Sequence, residues 1–219
     1  MKIDRAGIPF IAAALVLAVV LAAFRLFVGA APFVVLALAL VFFFRDPERQ
    51  PPSSDPNLVI SPADGRVMVA GAPQPNAAPG PGDWVQVSIF LSPLDVHVNR
   101  IPVTGRVSRV EYRRGRYHAA YRAEATLENE RSEVWIDGPA WTVVCRQITG
   151  VLVRRVVCRA KPGDQVQAGQ RFGVMKFGSR IDLFLPPGTP LSVAIGDRVR
   201  AGETILARLR AGAGAAGRG

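Results

Sequence analysis

Cysteine and histidine are scarce in this sequence, two of each in 219 residues, and Asp and Glu are outnumbered 17 to 27 by Lys and Arg. Cys145 and Cys158 lie in apolar, strand-like runs with no CxxC and no paired histidine spacing. That excludes the common zinc patterns and reads as two small buried hydrophobes in a reducing compartment. The 21 glycines and 18 prolines follow no fixed period, so the chain is not collagen-like, and 49% apolar residues exclude a disordered one. No RNP, helix-turn-helix or zinc pattern accompanies the arginines, and a net charge of +10 is therefore assigned to an anionic lipid surface rather than to nucleic acid.

Charge is nearly absent from residues 7 to 44, where Arg25 stands alone. It divides the run into Gly7 to Phe24 and Leu26 to Phe44, eighteen and nineteen residues. As helices these measure roughly 27 to 28 Å, close to the ~30 Å of a bilayer core, which predicts a two-helix membrane hairpin over 1–44. Lys2 and Arg5 before it and Arg45 and Arg49 after it put both ends, and the domain that follows, on the cytoplasmic side of the cell membrane. A hairpin that dips without crossing is the rival, with Gly29 to Pro32 as its turn.

Residues 45–57, with four prolines, read as a stiff linker, and 211–219, AGAGAAGRG, as a loose tail. Between them, over 58–210, short runs of Val, Ile and Leu are broken by Gly, Pro and Asp, the pattern of an all-β barrel or sandwich. Ala72 to Gly82 is too rich in proline for a ladder and is expected to loop out; one helix is expected near Ala119 to Glu130. Gly163-Asp-Gln-Val-Gln-Ala-Gly169 recurs as Gly196-Asp-Arg-Val-Arg-Ala-Gly202, which implies two-fold pseudo-symmetry. The pair resembles the hammerhead of biotinyl and lipoyl carrier domains.

The hairpin between the repeats supports two chemistries. Met175-Lys176-Phe177 is one residue from the modified-lysine tip of a biotin carrier. Gly178-Ser179 is a site where a hydroxyl attacks the preceding carbonyl, the resulting ester is lost by elimination, and the new terminus hydrolyses to a pyruvoyl group. Glycine leaves that carbonyl unhindered.

Ordered motifs favour the second: Ser61-Pro-Ala-Asp-Gly65, Phe90-Leu-Ser-Pro-Leu-Asp-Val-His97 with Asn99-Arg-Ile-Pro102, Asn129-Glu-Arg131, and Lys176-Phe-Gly-Ser-Arg180 with Asp182-Leu-Phe-Leu-Pro186. Together they resemble the phosphatidylserine decarboxylases of the short, archaeal type, over most of residues 58 to 207. The resemblance implies cutting between Gly178 and Ser179 into a β chain of 178 residues and an α chain of 41 that stay associated as a heterodimer. It also implies a pyruvoyl cofactor made from Ser179, with no metal and no pyridoxal phosphate, and phosphatidylserine in the membrane as substrate. A homo-oligomer of the cut unit remains open, as does the carrier or adaptor alternative.

In that family reading His97 is the general acid or base and Asp64 its orienting partner. Larger relatives carry a second histidine three residues after the first, where this chain has Arg100. Either His97 serves both maturation and decarboxylation, or Arg100 holds the lipid carboxylate or phosphate. Asn129 and Arg131 either line the headgroup pocket or cap a helix end. Lys176 is assigned local electrostatic support, and His118, which matches no motif, a surface or packing role.

Overall fold

The computed structural model describes residues 2–122, 124–151, 156–175 and 179–210, so the tail at 211–219 lies outside the described residues. The chain divides into two units, 1–48 and 49–219.

The first unit holds β1 (Lys2–Ile3), α1 (Ile8–Ala23), α2 (Phe27–Phe43) and β2 (Arg45–Asp46). Pro9 sits in the first turn of α1, where its missing N–H leaves no bond unmade. The chain reverses through Arg25, which takes φ +60°, whereas Gly29 to Pro32 lie inside α2 and make no turn. Both feet of the hairpin are clasped: Lys2 and Ile3 pair with Asp46 and Arg45, and the Lys2 ammonium meets Glu48 at 2.5 Å. Gly7, Phe24, Leu26 and Phe44 serve as caps, so the helices have 16 and 17 residues, two fewer each than the apolar stretches. At ~1.5 Å per residue they are ~24 and ~26 Å long. No helix among the described residues is long and apolar enough to cross a membrane.

The second unit is mainly β. In chain order it runs β3 (Leu58–Ile60), β4 (Gly65–Gly71), β5 (Val85–Leu91), β6 (Val98–Arg100), β7 (Gly105–Arg113), α3 (Ala125–Glu128), β8 (Arg131–Asp137) and β9 (Thr142–Ile148). After these come β10 (Val156–Cys158), β11 (Gln165–Val166), β12 (Arg171–Met175), β13 (Ser179–Leu185), β14 (Arg198–Val199) and β15 (Ile205–Arg208). Eight strands form an antiparallel sheet in the order β11-β7-β8-β9-β13-β5-β4-β14; β10-β12-β6 and β15-β3 form two smaller sheets. Val87, Ile89, Val134, Ile136, Val143, Cys145, Ile181 and Leu183 project from alternate positions of the large sheet into one core. Residues 72 to 82 carry no strand. The expected helix at 119–130 shrinks to the four residues of α3. Its end is tied instead to the chain around Arg116, by backbone bonds from Arg116 N–H to Glu128 O (2.7 Å) and from Glu130 N–H to Arg116 O (3.1 Å).

The glycine-aspartate repeat closes the two edges of the large sheet. Gly163 N–H donates to Val107 O and Val107 N–H to Asp164 O; the second copy makes the same pair, Gly196 to Val67 and Val67 to Asp197, all between 2.8 and 2.9 Å. All four turn glycines have φ between +75° and +98°, open to glycine at no steric cost. The partners are themselves related, because Ser61-Pro-Ala-Asp-Gly-Arg-Val67 matches Ile101-Pro-Val-Thr-Gly-Arg-Val107 position for position. Asp64 Oδ1 accepts Ala201 N–H (2.8 Å) as Thr104 Oγ1 accepts Ala168 N–H (3.1 Å). Ile60 N–H donates to Pro102 O and Arg100 N–H to Pro62 O, both at 2.9 Å. Asp64 is thus the counterpart of a threonine, and Arg100 of an isoleucine.

Gly65 is where this frame tolerates nothing larger. Its φ is +151° and a Cβ there would stand 2.1 Å from the Phe90 carbonyl oxygen, in the backbone of the neighbouring strand. Gly65→Ala is expected to cost about 3 kcal/mol or more, read as a lowered urea midpoint; an unchanged midpoint would show that β4 shifts freely.

Candidate active site

Pairing registers bring the four motifs to one end of the large sheet. Phe90, Arg180, Ile148, Arg131 and Arg113 lie side by side in one row across β5, β13, β9, β8 and β7, with Arg66 of β4 next to Phe90. Ser179 pairs with Leu91 one step further out. On the other side of the gap, β12 pairs with β6, and the ladder continues past Val98 as Met175 N–H donates to His97 O at 3.2 Å. The segment from Leu91 to His97 therefore bonds to the end of β12 and pairs with the start of β13. Lys176, Phe177 and Gly178, including the expected cleavage partner Gly178, lie outside the described residues.

One hydrogen bond fixes which faces meet. Asn99 Oδ1 of β6 accepts Gln147 Nε2 of β9 at 2.7 Å, across the space between the small and large sheets. His97 is one alternate position from Asn99, and Ser179 is one alternate position from Ile181, the register partner of Gln147. Both steps run toward the same end, so His97 and Ser179 face the same gap. Both residues are fully buried, and Ser179 Oγ has no hydrogen-bond partner among the described residues. An orphaned buried hydroxyl costs about 1–3 kcal/mol, so Ser179 Oγ is held there at the expense of stability.

His97 Nδ1 lies 2.9 Å from the Asp95 carbonyl oxygen. That contact requires a proton on Nδ1, so in the neutral ring Nε2 is the basic nitrogen. Asp95 is fixed in turn: its N–H donates to Ser92 O (2.9 Å) and its Oδ2 accepts Ser92 N–H (2.8 Å). The Asp64 carboxylate is engaged by the Arg49 guanidinium through both oxygens, one of them at 2.8 Å, as well as by Ala201 N–H. Arg49, in the stretch read as linker, is thereby part of the second unit.

The other candidates hold walls together. Arg100 is buried and its Nη1 donates to Gly169 O at 2.9 Å; three residues along the strand from His97 is roughly 10 Å. Asn129 donates to His118 O (2.8 Å) and Thr149 O (2.7 Å) and accepts His118 N–H (2.8 Å). Arg131 Nη1 caps the end of α3 through Thr126 O (3.3 Å) and Leu127 O (2.5 Å). His118 sits half-buried with Nε2 3.0 Å from Glu128. Cys145 is buried and Cys158 half-buried, both free, and burial pushes the two thiols up from their ordinary range. Among the described residues no group of three or more His, Cys, Asp or Glu side chains is placed to hold a metal ion.

Sequence reasoning missed Arg180 and Asp182 as a pair, although both stand in the motif around Ser179. They lie on the opposite face of β13 from the gap, fully buried, with Nε to Oδ1 at 2.5 Å. Arg180 Nη2 also donates to Gln74 Oε1 (2.7 Å) and Ser88 Oγ (3.0 Å). Two positions on, Arg146 is held by Glu133 (2.9 Å) and Ala77 O (2.7 Å); burial lowers the pull of its guanidinium for a proton and Glu133 opposes that. A charged residue next to the candidate serine is a legible signal; its partner two residues away on the same strand face was there to be read. A cavity of about 610 Å³, lined by Trp84, Arg109 and Trp135 among others, lies further down this outer face and away from Ser179.

This arrangement, a self-contained β fold with a buried serine facing a buried histidine across a sheet boundary, belongs to a known class. The family model for phosphatidylserine decarboxylase matches residues 36–207. Phosphatidylserine decarboxylase proenzymes of Nitrosomonas eutropha and Geobacter metallireducens are 41% and 42% identical to it over 209 and 210 residues, covering 95% and 93% of this chain and 95% and 94% of theirs. That of Pelodictyon phaeoclathratiforme is 44% identical over 174 residues, 78% of this chain and 81% of its own. The chain belongs to the phosphatidylserine decarboxylase family, a family of carboxy-lyases, and not to the biotinyl or lipoyl carriers.

The buried Arg180–Asp182 pair on the far face of the strand that begins with Ser179 can be tested directly. Asp182→Asn leaves Arg180 uncompensated and is expected to cost about 3–5 kcal/mol, while Arg180→Met combined with Asp182→Leu recovers most of it. Urea unfolding in detergent reads both; an Asp182→Asn chain as stable as its parent would mean that the pair is reached by water.

Proposed function

We propose that this chain is a precursor that cuts itself between Gly178 and Ser179 and, once cut, converts phosphatidylserine to phosphatidylethanolamine and carbon dioxide. The observation that carries the reading is the orphaned, fully buried Ser179 hydroxyl facing the His97 side of the gap.

Maturation follows from the residues. Ser179 Oγ attacks the Gly178 carbonyl while His97 Nε2 takes the hydroxyl proton, and the acyl group passes from nitrogen to oxygen. Loss of the Ser179 Cα proton then expels the Gly178 carboxylate, leaving a dehydroalanine that takes up water and releases ammonia. The site suits the group so formed, because it is made from Ser179 itself and occupies a place where no polar atom among the described residues claims the hydroxyl. A pyruvoyl group supplies an electron-withdrawing ketone, which no unmodified side chain offers. His97, held by Asp95, then carries protons at the same gap.

Asp64 acts at one remove. Its grip on Arg49 and Ala201 shapes the loop 61–65, and Pro62 O in that loop takes the N–H of Arg100 on the strand that follows His97. Arg100, Asn129 and Arg131 shape the headgroup pocket: Arg100 Nη1, Asn129 Nδ2 and Arg131 Nη1 bind backbone carbonyls, and Arg131 Nε faces the Glu133 carboxylate at 3.3 Å. The two smaller sheets and the repeat turns close the β unit as a hammerhead-like sandwich over 58–210. The hairpin of 1–44, joined by 45–57, anchors it in the cell membrane with the site on the cytoplasmic face, where the substrate resides.

Ser179→Ala is expected to give a single uncut band on a denaturing gel and no phosphatidylethanolamine. His97→Ala is expected to slow cutting at least ~100-fold, the ordinary size of a general-base contribution. A His97→Ala chain that matures and releases carbon dioxide at the parent rate would remove histidine from the mechanism.

A further inference from the structure

The end of the large sheet that holds Ser179 carries an exposed apolar rim for which the chemistry above has no use. Leu94, in the turn Ser92–Asp95, is 72% exposed; Tyr121 is 61% exposed and Val151 60%. Each stands on a separate loop tied to the row beside Ser179. Leu94 follows β5 by three residues. The Tyr121 ring meets Phe90 edge-on with centroids 6.3 Å apart, and Phe90 pairs with Arg180. Val151 follows Ile148, which pairs with Arg180 from the other side, and Thr149 between them is pinned to Glu130 O at 3.0 Å. Single exposed apolar side chains are ordinary; three on separate loops converging on the mouth of one site are not.

Charge selects the partner. From Arg49 onward the chain carries 23 Lys and Arg against 14 Asp and Glu. Near the rim, Arg113, Arg114, Arg116 and Arg122 are exposed, with Glu111 and Glu128 beside Arg113 (3.2 Å) and Arg116 (3.5 Å) and Glu124 as the third acid of that segment. A basic domain with apolar side chains at its rim fits an anionic bilayer, where such side chains enter the boundary between headgroups and acyl chains.

We propose that Leu94, Tyr121 and Val151 form the surface by which the β unit docks on an anionic lipid bilayer, so that a headgroup reaches the Ser179 gap while its acyl chains stay in the membrane. This rests on the decarboxylase reading and adds a second membrane contact, independent of the N-terminal hairpin. The test compares full-length, self-processed parent with Leu94→Asp, Tyr121→Asp and Val151→Asp on two substrates: phosphatidylserine in phosphatidylcholine vesicles, and short-chain phosphatidylserine dispersed below its micelle concentration. On vesicles each variant is expected to lose about tenfold in kcat/KM, with turnover of dispersed substrate unchanged. Equal rates on vesicles for parent and all three variants would overturn the docking surface, as would equal losses on both substrates at all three positions. A parent inactive on both substrates would instead overturn the decarboxylase reading.

Discussion

The structure turns on how the chain crosses from β12 to β13. Those strands belong to different sheets, and the segment Leu91–His97 bonds to the end of each, Leu91 to Ser179 and His97 to Met175. The described residues on either side of 176–178, Met175 and Ser179, are thus both held by chain from elsewhere in the sequence. Every residue of β13 is buried, and the strand is paired on one side with β5 over seven residues and on the other with β9 over five. A break at the turn removes none of these bonds. A chain cut ahead of Ser179, as proposed, would therefore remain one folded body, because pairing and packing hold β13 in place on both sides.

The site has grown where an internal symmetry fails. Two copies of a strand-and-turn unit close opposite edges of the large sheet with matching bonds, and in most positions they match in chemistry as well. At Asp64 one copy has a carboxylate where the other has Thr104, and the carboxylate draws Arg49 in from the chain that precedes the β unit. At Arg100 one copy has a buried guanidinium where the other has Ile60. The two differences sit on the two sides of the Pro62 to Arg100 bond, next to the strand that follows His97. A symmetric scaffold supplies rigidity, and the asymmetric substitutions on it make the end near His97 chemically unlike its counterpart.

Local features were legible and long-range ones were not. The turns at Gly163–Gly169 and Gly196–Gly202 could be read because a Gly-Asp turn is specified by its own residues. The gap between His97 and Ser179 was legible only through the motifs. What places the two face to face is the bond between Asn99 and Gln147, forty-eight residues apart, and no periodicity announces such a contact. The helix near 119–130 looked longer than it is because local propensity ignores the backbone bonds that Arg116 makes with Glu128 and Glu130. Arg49 looked like linker because four prolines surround it, and only the fold shows its guanidinium closing on Asp64. The related segments 61–67 and 101–107 differ enough in side chains that their equivalence emerged from their hydrogen bonds.

The most direct test is intact-protein mass spectrometry of freshly purified, active wild-type material. Two species are expected, of 178 and 41 residues, the shorter beginning with a ketone that borohydride reduces and with no free amino group. Activity residing in an unbroken chain of 23.5 kDa with serine intact at position 179 would contradict the account.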